Sequence, residues 1–142
     1  MLAPAHDVTV LHSASAALER LLAGEDYDVI FCDLLMPEMT GMDLFETLEQ
    51  KAPRLTDRFV FLSGGAFTSH ARTFRERVPN LFLDKPCTAA VLLAAVGDRA
   101  AAHRSADQQH AGELRGSLRW LGNRWSQRRN SAIHLDVVAR TR

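Results

Sequence analysis

Four apolar residues in a row, Val29-Ile30-Phe31-Cys32, stand between Asp28 and Asp33. The run is too short for a buried helix and rich in β-branched and aromatic types, so it predicts a strand covered on both faces. Such a strand needs a parallel sheet with helices on either side, which restricts the chain to the α/β class. The run ends on an acid, Asp33, followed by a loop punctuated by Pro37 and Gly41. The carboxyl edge of a parallel sheet is where α/β folds bind ligands. A charge is costly where the pattern demands burial, so Asp33 is the leading candidate for chemistry.

The rest of the chain supplies the partners that such a strand requires. Asp7 to Leu11 alternates polar and apolar residues and reads as a short strand. Ser13 and Ser15 offer capping hydroxyls to a helix with Ala17, Leu18, Leu21 and Leu22 on its apolar face, and Gly24 ends it. After Gly41, Leu44, Phe45 and Leu48 recur at helical spacing until Pro53. Arg58 to Leu62 predicts a second buried strand, leading into Ser63-Gly64-Gly65. Thr68 to Val78 reads as a helix with Phe74 and Val78 inward. Leu81-Phe82-Leu83 predicts a third buried strand, leading into Asp84-Lys85-Pro86. Thr88 can cap a last helix, running to about Ala102, with Val91, Leu92, Ala95 and Val96 toward the sheet. Strand and helix alternate four times, the order of a doubly wound parallel sheet.

Length and charge set the outer limits. A chain of 142 residues has room for one domain and an appendage. No apolar run approaches the length that spans a bilayer, and Met1 to Ala5 lacks the basic start and apolar core of a signal peptide. Cys32, in a buried strand, and Cys87, after a Lys-Pro turn, are ill-suited to a disulfide framework, so the expected setting is reducing and cytoplasmic. The net charge of zero hides an asymmetry. Residues 1–99 carry nine Lys and Arg against fourteen Asp and Glu, a balance of −5, and residues 100–142 carry eight Arg against three acids, a balance of +5. This predicts a domain over residues 1–102 and a basic extension over 103–142, weakly structured or helical.

Asp33, Ser63 and Lys85 each follow or close one of three successive buried strands, so a parallel sheet would gather a carboxylate, a hydroxyl and an ammonium at one edge. That set suits a phosphoryl group. Here the chain resembles the receiver domain of two-component response regulators. The resemblance rests on the D-x-x-M-P-x-x-x-G loop from Asp33 to Gly41, on Ser63-Gly64 and on Lys85-Pro86, and it covers residues 6 to 100. It implies a flavodoxin-like fold of strand order 2-1-3-4-5. It implies that Asp33 accepts a phosphoryl group from a histidine kinase or phosphotransfer domain as an acyl phosphate. Lys85 would pair with Asp33 and then with a phosphoryl oxygen. Ser63 would bond the phosphoryl group and draw its loop inward, and Phe82 would be the aromatic switch coupled to it. Asp33 and the backbone carbonyl of Leu35 would be Mg²⁺ ligands. The stretch Phe61 to Phe67 looks most like receivers attached to hybrid sensor kinases.

The departures from that family are as informative. A receiver begins with a strand ending in the acidic pair that holds Mg²⁺. Only 32 residues precede Asp33, and the first recognisable strand resembles the family's second. The expectation is a sheet lacking its first strand and first helix. One carboxylate and one carbonyl should hold Mg²⁺ poorly, since this ion dehydrates reluctantly and wants several hard oxygen ligands. The lost strand is central, so its neighbours would keep unpaired backbone groups or pair directly. In the extension, Leu114, Leu118, Leu121 and Trp125 recur at helical spacing among arginines, but Gly112, Gly116 and Gly122 oppose a helix. Ile133 to Val138 reads as a short strand that could fill the central vacancy, an arrangement less expected than a loose tail.

Three classes of function follow. The first is a phosphoaccepting receiver, which is not an enzyme and whose receiver part has no nucleic-acid surface. The second is a receiver-like interaction module, or a fragment, that is not phosphorylated. The third is an aspartyl phosphatase. Such an enzyme would need an acid two residues after Asp33, and Leu35 stands there. A flavin site is excluded because no phosphate-binding loop follows the first strand.

Overall fold

The computed structural model describes residues 7–65, 68–114 and 131–135. The first strand, β1, spans Asp7–Leu11, and helix α1 follows at Ala14–Leu22, its first turn capped by the Ser13 hydroxyl. Gly24 takes a positive φ of 99° just past that helix, a conformation open to glycine without a Cβ penalty. Strand β2 is Val29–Asp33 and helix α2 is Gly41–Lys51. A 3-10 turn at Pro53–Arg58 leads into β3 at Phe59–Ser63. Helix α3, Ser69–Arg77, is capped by Thr68, and β4 is Leu81–Asp84. Helix α4 runs from Ala89 to Leu114, and β5 is Ser131–Leu135.

The five strands form one parallel sheet in the order β1-β5-β2-β3-β4. Along β2 and β3 the side chains alternate between faces, as the pleat requires. Ile30, Cys32, Phe59 and Phe61 join α1, α2 and α3 in one core, through Ala17, Leu21, Leu44, Leu48 and Phe74. Val29, Phe31, Val60 and Leu62 meet Leu92, Ala95 and Val96 of α4 on the other face. Every residue of β2 and β3 is buried, because helices cover both faces. This is the expected flavodoxin-like, doubly wound arrangement.

The structure departs from the expectations in four places. Strand β4 is not buried: Leu81 is 39% exposed and Phe82 and Leu83 are half-buried, because β4 is the sheet's edge. Val91 is 43% exposed, since the face of α4 turned to the sheet is that of Leu92, Ala95 and Val96. The last helix passes Ala102 and continues to Leu114. Its Ala-rich, Pro-free sequence has high helix propensity, which a boundary drawn from charge ignores. The central position is also neither vacant nor closed by direct pairing of β1 with β2. Strand β5 lies between them, with Ala132 opposite both Val8 and Val29, and Leu135 opposite both Leu11 and Cys32. Segment 103–142 thus contributes a helix end and a strand to the fold. Leu118, Leu121, Trp125, Val137 and Val138 lie outside the described residues.

Candidate functional site

The carboxyl edge of the sheet is set by register. Asp33 closes β2 opposite Leu62, and Ser63 closes β3 opposite Asp84. Lys85 is one residue beyond, and its amide donates to the Ser63 carbonyl at 2.7 Å. All three residues therefore reach one edge because their strands are parallel and nearly level. Among the described residues, Asp33 and Ser63 are the buried polar ones, at 8% and 3% exposure.

The Asp33 carboxylate is engaged at both oxygens. Lys85 Nζ lies 2.5 Å from Oδ2, and the amide of Leu35 donates to Oδ1 at 3.1 Å. The ammonium is thus held over an anion that the strand would otherwise bury, and the ion pair offsets the desolvation of both groups. The Lys85–Pro86 peptide is cis. Leu35, whose carbonyl the family likeness nominates as a metal ligand, is 48% exposed on the loop after β2. Among the described residues no three His, Cys, Asp or Glu side chains gather as a metal-holding group.

The loop from Asp33 to Gly41 is closed by the Gly41 amide, which donates to the Leu34 carbonyl at 3.1 Å. A Cβ at Gly41 would stand 2.2 Å from the Asp33 carbonyl oxygen and 2.8 Å from Cys32 Sγ, so only glycine fits there. Helix α2 then starts on a capping box, in which Thr40 and Asp43 bond each other's side chains and amides. Those Thr40 donors hold the Asp43 carboxyl below the usual carboxylate range. Burial, with the Asp33 charge beside it, pushes the Cys32 thiol far up, so it is no nucleophile.

Phe82, on β4, sets its ring 5.0 Å from Phe61 and edge-to-face 6.3 Å from Phe74, and the Arg75 guanidinium lies over the Phe82 ring, 5.2 Å from its centroid. It links the aromatic core to the exposed face of the edge strand. Sequence reasoning passed over three contributors: the Leu35 amide, the Gly41 contact and Arg58. The first two carried a signal in the loop motif. Arg58 carried none: it bonds Asp26 Oδ1 at 2.5 Å and the Tyr27 carbonyl at 2.6 Å, bracing the entrance of β2 against that of β3.

The profile of the response regulator receiver domain matches residues 3–97. The Sensory/regulatory protein RpfC of Xanthomonas campestris is 33% identical over 101 residues, which is 70% of this chain and 14% of that protein. The chain therefore spans about one seventh of the curated relative's length. Among solved structures, a response regulator receiver protein from Sinorhizobium medicae is 26% identical with a TM-score of 0.53, covering 66% of this chain and 73% of that one. The Francisella response regulator 1452 receiver domain is 23% identical with a TM-score of 0.54, covering 67% and 76%.

Proposed function

The chain belongs to the response regulator receiver family of two-component systems, and from that premise we infer that it is a phosphoryl-accepting module whose acceptor is Asp33. The supporting observation is the contact of Lys85 Nζ with Asp33 Oδ2 at the carboxyl edge of the sheet. In the transfer, the phosphorus–nitrogen bond of a phosphohistidine on a histidine kinase or phosphotransfer domain breaks. A phosphorus–oxygen bond to the Asp33 carboxylate forms, and the imidazole nitrogen keeps the bonding pair. The carboxylate charge is then replaced by that of the phosphoryl oxygens, and Lys85 follows the charge. Ser63, one residue past the register partner of Asp33, offers a hydroxyl donor to the same group. Drawing Ser63 inward shifts the packing at Phe82, which carries the signal to the edge strand. The module works in the cytoplasm and switches a partner rather than catalysing a reaction; among the described residues no helix is long and apolar enough to cross a membrane.

Receiver domains typically use Mg²⁺ at the phosphorylation site. The described donors here, Asp33 and the Leu35 carbonyl, are too few for an ion that wants near-octahedral oxygen ligation. The one observation favouring a receiver-like interaction module without phosphorylation is this missing metal cluster among the described residues. Intact-mass spectrometry after incubation with acetyl phosphate and Mg²⁺ separates the two readings. A single phosphoryl adduct, released by hydroxylamine and absent in Asp33→Asn, is expected. No adduct, from acetyl phosphate or from a phosphorylated phosphotransfer domain, leaves the interaction module in its place.

A further inference from the structure

The last turn of α3 carries two arginines that reach different neighbours. Arg77 is tied to α2: it donates to the two oxygens of Glu49 at 2.9 and 3.2 Å and to Glu46 at 3.1 Å. Its guanidinium also lies over Phe74, 5.4 Å from the ring centroid. Arg75 reaches β4 instead. Its guanidinium lies over the Phe82 ring, and its Nη1 is 3.9 Å from Asp84 Oδ1, too long for a hydrogen bond. Both Arg75 and Asp84 are exposed, so that pair is weak and screened by salt. Helix α3 is thus fixed to α2 by a fork of hydrogen bonds and only latched to β4.

The latch stands where a signal from the site would arrive. Phe82 and Asp84, two residues apart on β4, share one face of the sheet, and Phe82 packs there into the core that holds Phe74 of α3. Register sets Phe82 opposite Phe61 and Asp84 opposite Ser63. We propose that Arg75 is the positioning residue of the Phe82 ring: braced by Asp84, its guanidinium holds the half-buried ring against Phe61 and Phe74 and sets how often the ring swings out to the exposed edge. The hold is one exposed cation–π contact, so it is readily reversed, whereas the Arg77 fork keeps the helix in place. A displacement of Ser63 acts on the strand position opposite it, which is that of the anion Arg75 uses. That this ring answers to Asp33 rests on the phosphoacceptor reading above; the hold of Arg75 on the ring does not.

Nuclear magnetic resonance of the intact, unphosphorylated chain with carbon-13 phenylalanine rings reads this directly, because an inward Phe82 is shielded by the Phe61 ring 5.0 Å away. Arg75→Met keeps an apolar stem and removes the cation. It should raise the outward-to-inward ratio of the Phe82 ring about two- to fivefold, the worth of an exposed cation–π contact. Arg75→Lys, which keeps the charge without the planar fork, should fall between that variant and the parent. Raising NaCl from about 50 mM to about 500 mM should move the parent toward the variant and leave Arg75→Met where it was. An arginine with a merely structural role would lower the urea midpoint on removal and leave the ring signal and its salt response as in the parent. An unchanged Phe82 signal in Arg75→Met, or an equal salt response in both chains, overturns the proposal. If Arg75→Met does not fold, the salt titration of the parent decides, and a ring unmoved by salt overturns it. Failure of Asp33 to take a phosphoryl group would leave these ring measurements standing, so the two readings fall separately.

Discussion

Lys85 and the Leu35 amide divide the two oxygens of Asp33 between them, and removing either partner has a different consequence. Lys85→Ala leaves a nearly buried carboxylate without its cation. The Lys85 side chain is 28% exposed, so the loss should be smaller than for a fully buried pair, about 1–3 kcal/mol in chemical denaturation. Asp33→Asn keeps an oxygen for the Leu35 amide and should cost less than Lys85→Ala. The reverse ranking would mean that the ammonium is not what stabilises this edge. Gly41→Ala cannot be absorbed by a flexible side chain, because the clash is with the Asp33 carbonyl. It should destabilise the domain by about 1–3 kcal/mol and displace the Leu35 amide from Asp33, visible as a chemical-shift change at Leu35.

At the scale of elements, α2 joins the site loop, through its capped N-terminus, to the core packed by Leu44, Phe45 and Leu48. Thr40→Ala removes the cap and should cost about 1 kcal/mol. It should also change the acid limb of stability. The Asp43 carboxyl is depressed in the folded state by the Thr40 hydroxyl and then the Thr40 amide. Its contribution is therefore present above the unfolded value of about 4 and lost as pH falls through the folded value. The Thr40→Ala chain should lose less stability than the parent between pH 5 and pH 2 in urea titrations. Further along α2, the Phe45 ring stands 5.5 Å from each of Phe59, Phe61 and Phe74, in edge-to-face contacts. Phe45→Ala should cost about 3–5 kcal/mol, since the cavity would open where α2, α3 and β3 meet. A loss under 1 kcal/mol would show that the cluster repacks.

Across the whole molecule, the two cysteines report on different depths. Both are free; Cys32 is fully buried and Cys87 is partly accessible. Iodoacetamide should label Cys87 in the native protein and Cys32 only when the sheet opens, with peptide mapping as the readout. Reductant should leave the unfolding temperature unchanged.

What the sequence determined is local in origin. A run of apolar residues ending in an acid already specifies a two-sided strand and its functional edge. The loop motif, Ser63 and Lys85 were placed by the same pattern, because a strand's end is marked by its own residues. The capping hydroxyls of Ser13 and Thr88 were legible for the same reason. Exposure of Leu81 and Val91 was not, since it depends on which strand lies at the edge and which way α4 rolls. Only the tertiary structure decided what stands between β1 and β2. Strand pairing is non-local, so the sequence offered Ile133 to Val138 for that place only as the less expected arrangement, and the structure pairs Ser131–Leu135 there. Strand β5 supplies backbone partners to the facing edges of both β1 and β2, a pairing that no local pattern can encode.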